Sequence, residues 1–140
     1  MIVTNNISKH FGSFQALSGV SFEIKQGEIV GFLDKNGAGK TTLMRIFTSF
    51  LPASSGTVLI DGYDVDKESL ITRQKIGYLH ETPPIYLNMT VKDYLEFAAE
   101  IKGIPAKNRR RQVDNAMAEC QLEEVANKTI ATLSKGYKQR

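Results

Sequence analysis

An α/β fold is predicted by three consecutive stretches of this chain. "EIVGFL", Glu28 to Leu33, is a continuous apolar run of the kind that forms a buried parallel strand; "NGAGK" is a glycine-rich turn; and Thr41 to Phe50 has helical period. The turn therefore sits between a strand and a helix.

The other elements follow in order along the chain. "MIVTNNIS" and "LSGVSFEI" alternate apolar and polar residues, as strands with one buried face do. In the helix after the turn, Leu43, Ile46, Phe47 and Phe50 fall at i, i+3, i+4 and i+7, and Pro52 closes it. "TVLIDGYDV" places Asp61-Gly62 between two strand-like runs, which predicts a hairpin, and "KIGYLHE" reads as a further strand. Thr90 followed by Asp93 is a capping-box-like helix start, with Val91, Tyr94, Leu95 and Ala98 as the apolar face. A second helix follows Pro105, with Val113, Ala116, Met117 and Cys120 on one side. There is no repeat, low-complexity segment or flexible linker.

Composition bounds what such a chain does. At 140 residues, 41% of them hydrophobic, it has the size of one domain with a modest core. The net charge of +3, from 18 basic and 15 acidic residues, is too mixed to point to nucleic acid as a partner. Cys120 is the only cysteine, which excludes an internal disulfide. No apolar run approaches the roughly 20 residues of a membrane helix. "MIVTNNISKHF" has no basic start followed by an apolar core, so nothing in it resembles a secretion signal. The expected location is the cytoplasm, with any membrane attachment made through a partner.

The turn carries the chemistry. "GFLDKNGAGKTT", Gly31 to Thr42, nearly fits the phosphate-loop pattern G-x-x-x-x-G-K-[ST], with Asp34 where the pattern has glycine. Gly37, Ala38 and Gly39 are small enough for successive backbone amides to turn inward around phosphate oxygens, and the helix starting near Lys40 aims its positive end there. Lys40 would reach the outer phosphates. Thr41 would offer its hydroxyl to magnesium, which bridges the last two phosphates. Asp34 works against this: a carboxylate about 5 Å from a phosphate charge, at an effective dielectric near 20, costs about 3 kcal/mol, or roughly a hundredfold in affinity. Magnesium, Lys40 and Lys35 offset part of that. The expectation is weakened nucleotide binding with the ligand unchanged.

With these motifs the chain resembles the ATP-binding subunit of an ATP-binding cassette (ABC) transporter. "KHFGSFQALSGVSFEI" is similar to the family's opening, "NGAGKTTL" to its phosphate loop and "SGTVLIDGYDV" to the hairpin that follows. "IGYLHE" falls at the family's glutamine loop, and "LSKGYKQR" resembles its signature "LSGGQ", about ninety residues after the phosphate loop. The resemblance implies a partial P-loop NTPase of α/β class: an antiparallel β subdomain and RecA-like core fragment over 1–82, and a helical subdomain over 83–140. The wording "IGYLHETPPIYLNMTVKDYLEFAAEIKG" is similar to exporters tied to gliding motility, copper-site maturation and drug export.

The same resemblance implies roles for residues. Phe11 would stack on adenine, although at the end of a strand pattern it fits a core position too. Asp34, Lys35, Asn36, Gly37, Ala38, Gly39, Lys40, Thr41 and Thr42 would hold the nucleotide. Thr41 and Glu81 would hold magnesium, Glu81 standing where most of the family has glutamine, since a carboxylate can ligate magnesium too; an exposed strand-end acid is the alternative. Ser134, Lys135, Gly136 and Tyr137 stand at the signature, which acts on ATP bound to a partner ATPase subunit; Ser134 and Gly136 fit it, and Lys135 and Tyr137 depart from "SGGQ". "KNRRR", Lys107 to Arg111, reads as a solvated helix face, with a lipid-facing role as the alternative.

Three functions fit: a transporter ATPase working with a membrane permease and a second ATPase copy or paralogue at the inner face of the cell membrane; a soluble cassette protein acting on ribosomes or DNA; or a non-catalytic remnant that binds ATP weakly or not at all. The family's later elements, which include its water-activating glutamate, do not occur before Arg140. Strands flanking "EIVGFL" are therefore expected to be missing, leaving apolar edges uncovered, poor stability and no appreciable ATP hydrolysis.

Overall fold

The computed structural model describes residues 1–140 and divides them into two units, Met1–Tyr78 and Leu79–Arg140. The first unit is built on a four-stranded antiparallel sheet. β1 (Ile2–Phe11) pairs with β2 (Phe14–Ile24) on one side and with β3 (Ser55–Ile60) on the other, and β4 (Tyr63–Asp64) closes the order β2-β1-β3-β4. Both hairpins turn on two residues. Asp61 and Gly62 have φ of 50° and 85°, the pair of left-handed conformations that a tight hairpin needs, so the predicted turn forms where Asp-Gly stands.

Against this sheet lies α1 (Lys40–Phe47), which buries Leu43, Ile46 and Phe47. With Ile7, Leu17, Val58, Ile60 and Val65 these form one apolar core, each side chain worth about 1.5–3 kcal/mol on burial. A short α2 (Ser69–Gln74) follows β4. The predicted fourth apolar position of α1, Phe50, is not in the core. The helix ends at Phe47, Ser49 turns left-handed at φ 54°, and the Phe50 amide donates back to the Arg45 carbonyl at 2.9 Å. Phe50 is thereby swung outward, 77% exposed, with the Arg45 guanidinium 5.9 Å from its ring centre.

Two predicted strands are not strands. Glu28–Leu33 and Lys75–Glu81 join no ladder: neither pairs with β1–β4, and no other strand runs beside either stretch to supply hydrogen bonds. Ile29 is fully exposed and Leu33 is 94% exposed, whereas Phe32 rests 5.5 Å from the Phe22 ring. The expected uncovered apolar surface is present.

The second unit is helical. Thr90 caps α3 (Val91–Ile101), its Oγ1 accepting from the Asp93 amide at 3.1 Å, as the Thr-Asp spacing predicts. After Pro105, α4 (Ala106–Glu119) buries Val113 and Met117, with Ala116 and Cys120 half-buried beside them. The core of the unit adds Val91, Ala99, Leu122, Val125 and Ile130. Backbone bonds then clip the segment before α5 (Lys135–Gln139) onto the start of α3: Val91 and Lys92 amides donate to the Lys128 and Ala126 carbonyls, and the Ile130 amide donates to Met89.

Candidate functional site

The loop from Asp34 to Thr42 owes its shape to two glycines. Gly37 and Gly39 have φ of 87° and 88°, a region costly to any residue with a Cβ. They are not equivalent. A Cβ on Gly37 would meet nothing within 4 Å, but one on Gly39 would lie 2.5 Å from the Ala16 carbonyl oxygen and 2.7 Å from Leu17 Cδ2. Ala16 is the residue that a register shift in the β1–β2 ladder leaves unpaired, between Gln15 (opposite His10) and Leu17 (opposite Lys9). The end of the loop is thus seated on the bulge of β2.

From that seat α1 departs with Gly39 as its N-cap. No side chain caps it and no acid occupies its first turn, so its leading amides and positive dipole end face outward without a built-in anion. Lys40 Nζ folds back over the loop, donating to the Asp34 and Lys35 carbonyls at 2.7 Å each. The ammonium is thereby held by the loop's own backbone. Thr41 beside it is exposed, and Thr42 is half-buried.

Asp34 engages the loop in its own way. Its Oδ1 accepts from the Lys35 amide at 2.7 Å, so a carboxylate already occupies one amide of the anion cradle. It forms no ion pair with Lys40, whose ammonium prefers the two carbonyls. Asn36, Gly37 and Ala38 complete the exposed rim. These residues fit a polyphosphate: small residues at the bends, an uncapped helix start and a lysine aimed inward, opposed by one internal carboxylate.

Phe11 closes β1 beside the two-residue turn and is 47% exposed, which rules out the core position for it. Opposite it in the ladder stands Phe14, 62% exposed, a second aromatic that the sequence reading passed over. On the other side, Lys9 Nζ lies 5.3 Å from the centre of the Phe11 ring. Glu81 belongs to the second unit, with an exposed side chain and a backbone carbonyl that accepts from Gln139 Nε2 at 2.9 Å. In that unit Ser134 caps α5, its Oγ accepting from the Tyr137 amide at 3.4 Å. Lys135 and Gly136 form the exposed first turn, and Tyr137 packs on the unit's core with the Arg140 guanidinium 5.2 Å from its ring centre.

The ABC transporter family profile matches residues 17–140, from the middle of β2 through α5. The chain belongs to the ABC transporter ATP-binding family. The chain is 36% identical over 139 residues to the sulfate/thiosulfate import ATP-binding protein CysA of Mesostigma viride, covering 99% of this chain and 40% of that protein. It is 32% identical over 140 residues to the probable multidrug ABC transporter ATP-binding protein YbhF of Escherichia coli, covering all of this chain and 24% of that one. Among solved structures, cbiO1 of Clostridium perfringens, part of the ABC transporter complex cbiONQ, superposes with a TM-score of 0.85 at 28% identity, over 99% of this chain and 57% of that one. This ABC cassette sequence therefore spans from about a quarter to somewhat over half of the lengths of these proteins. The fold is that of the P-loop ATPase cassettes, in part. Relatives named for import and for multidrug transport both match it, so family membership leaves the direction of transport open.

Proposed function

We propose that this chain is the nucleotide-holding part of a transporter ATPase subunit, taking ATP with magnesium at Asp34–Thr42 and Phe11. The observation that carries the reading is the seat of Gly39 on Ala16, which fixes the phosphate loop to the strand pair that bears Phe11. Base and phosphate subsites then stand on one frame. Bound magnesium would neutralise phosphate charge, with the Thr41 hydroxyl as its ligand in the first unit. Lys40 orients the outer phosphates. We place the functional division between 1–82 and 83–140, with Ser134–Tyr137 acting in trans on a second ATPase subunit. A membrane permease is the other partner, and it holds the subunit at the inner face of the cell membrane. Export is the direction favoured by the Ile76–Gly103 wording.

The test is equilibrium binding of a fluorescent ATP analogue with magnesium to the parent chain, Lys40→Ala and Asp34→Gly. Lys40→Ala is expected to abolish binding. Asp34→Gly is expected to tighten it by up to roughly a hundredfold, because it removes the internal carboxylate and frees the Lys35 amide. A folded Asp34→Gly protein that binds no nucleotide would sink this reading and leave a non-catalytic remnant in its place.

A further inference from the structure

Lys9 is one of three buried polar or charged side chains, only 9% exposed, between half-buried Ser8 and exposed His10 on β1. A lysine at a sheet surface ordinarily extends its ammonium into water. This one does not, and it has no carboxylate partner. Its Nζ donates to the Pro52 carbonyl at 2.7 Å and stands 5.3 Å from the centre of the Phe11 ring. Pro52 lies in the segment that leaves α1, and that segment is itself pinned to β1: the Ser54 amide donates to the Ser8 carbonyl, and the His10 amide donates to Ser54 Oγ. The ammonium is therefore fixed by the backbone on one side and offered to an aromatic face on the other.

A cation held against one face of a ring is attracted to its π electrons, and it restricts where the ring can go. We propose that Lys9 is a positioning residue for the nucleotide base: anchored on Pro52, it holds Phe11 by one face so that the rest of the ring is presented for stacking. This inference rests on the nucleotide reading of the site. It differs from a bracing role for Lys9 in one respect that can be measured. Bracing the loop would serve phosphate and base alike, whereas positioning Phe11 serves only a ligand that has a base.

The experiment is calorimetric titration of the 140-residue chain with ATP and, separately, with inorganic tripolyphosphate, both with magnesium. Parent, Lys9→Met, Lys9→Arg, Phe11→Ala and the Lys9→Met/Phe11→Ala double variant are compared, with circular dichroism as the check on folding. Lys9→Met is expected to weaken ATP roughly three- to thirtyfold and leave tripolyphosphate unchanged. Lys9→Arg is expected to restore ATP binding, and the double variant to bind ATP no more weakly than Phe11→Ala alone. Equal losses for ATP and tripolyphosphate, unchanged ATP binding in Lys9→Met, or a full further loss in the double variant would each overturn the proposal. If Lys9→Met does not fold, Lys9→Gln takes its place in the same comparison. Failure of the parent to bind either ligand, in a folded sample, would overturn the nucleotide reading and this inference with it.

Discussion

Ile46 and Ile29 are the same residue in two apolar runs of the first unit, yet the first is wholly buried and the second wholly exposed. The difference is in what each run can pair with. Ile46 sits on α1, whose backbone bonds are internal, and it needs only the face of a sheet assembled from two-residue hairpins nearby in sequence. Ile29 sits in a run whose backbone groups need a parallel neighbour, and parallel neighbours arrive only through a crossover of a dozen or more residues. Hydrophobicity is common to both, so it is ladder partners that decide burial here.

Substitution at these two positions puts the largest number on the comparison. Ile46→Ala is expected to cost about 2–5 kcal/mol, since its side chain is wholly buried in the core, while Ile29→Ala should change stability by less than about 0.5 kcal/mol. Urea unfolding of the two variants measures both. Equal destabilisation would mean that Ile29 is buried in solution, and the contrast between the runs would fail.

A finer contrast lies within the phosphate loop. Gly37→Ala and Gly39→Ala carry the same backbone strain, about 1–2 kcal/mol for a left-handed residue with a Cβ, because their φ values agree within a degree. Only Gly39→Ala also drives a methyl into the Ala16 carbonyl. It should therefore melt at a lower temperature than Gly37→Ala and lose nucleotide affinity beyond what Gly37→Ala loses. Matching melting temperatures would show that the loop does not rest on the bulge of β2.

These contrasts also explain what the sequence could and could not disclose. The phosphate loop was legible because its glycines, Lys40 and Thr41 are contiguous and their spacing has a mechanical reason. The Asp61-Gly62 hairpin and the Thr90 cap were legible because each is settled within four residues. The extent of α1 was misjudged by three residues at its end, where a left-handed Ser49 overrides the helical period that Phe50 continues. The strands at Glu28–Leu33 and Lys75–Glu81 were misread because a strand's existence depends on a neighbour, which composition does not report. Lys9 was missed for a related reason. In an alternating strand a lysine reads as solvent-facing, and its burial depends on Pro52, 43 residues further on. Phe11 was found through the family pattern alone, and its exposure then removed the core alternative.

The smallest expected effect concerns pH, and it belongs to the paired region of the first unit. At the end of β4, burial of the Asp64 carboxyl opposes ionisation, but hydrogen bonds from the Asp66 and Lys67 amides, at 2.9 and 3.2 Å, together with the Lys67 ammonium at 3.6 Å, outweigh it and hold the group below its usual value of 3.8. A carboxyl whose folded pKa is depressed binds its proton less readily in the folded state than in the unfolded one. Its contribution to stability is thus complete well above pH 3.8 and is lost as pH falls through the lowered folded value. Asp64→Asn removes the titration, so the stability difference between parent and variant should shrink steadily as thermal melts are taken from pH 7 down into acid. A difference that stays constant or widens on acidification would show that these two amides do not hold a charged carboxylate, and that the turn after β4 is set by backbone geometry alone.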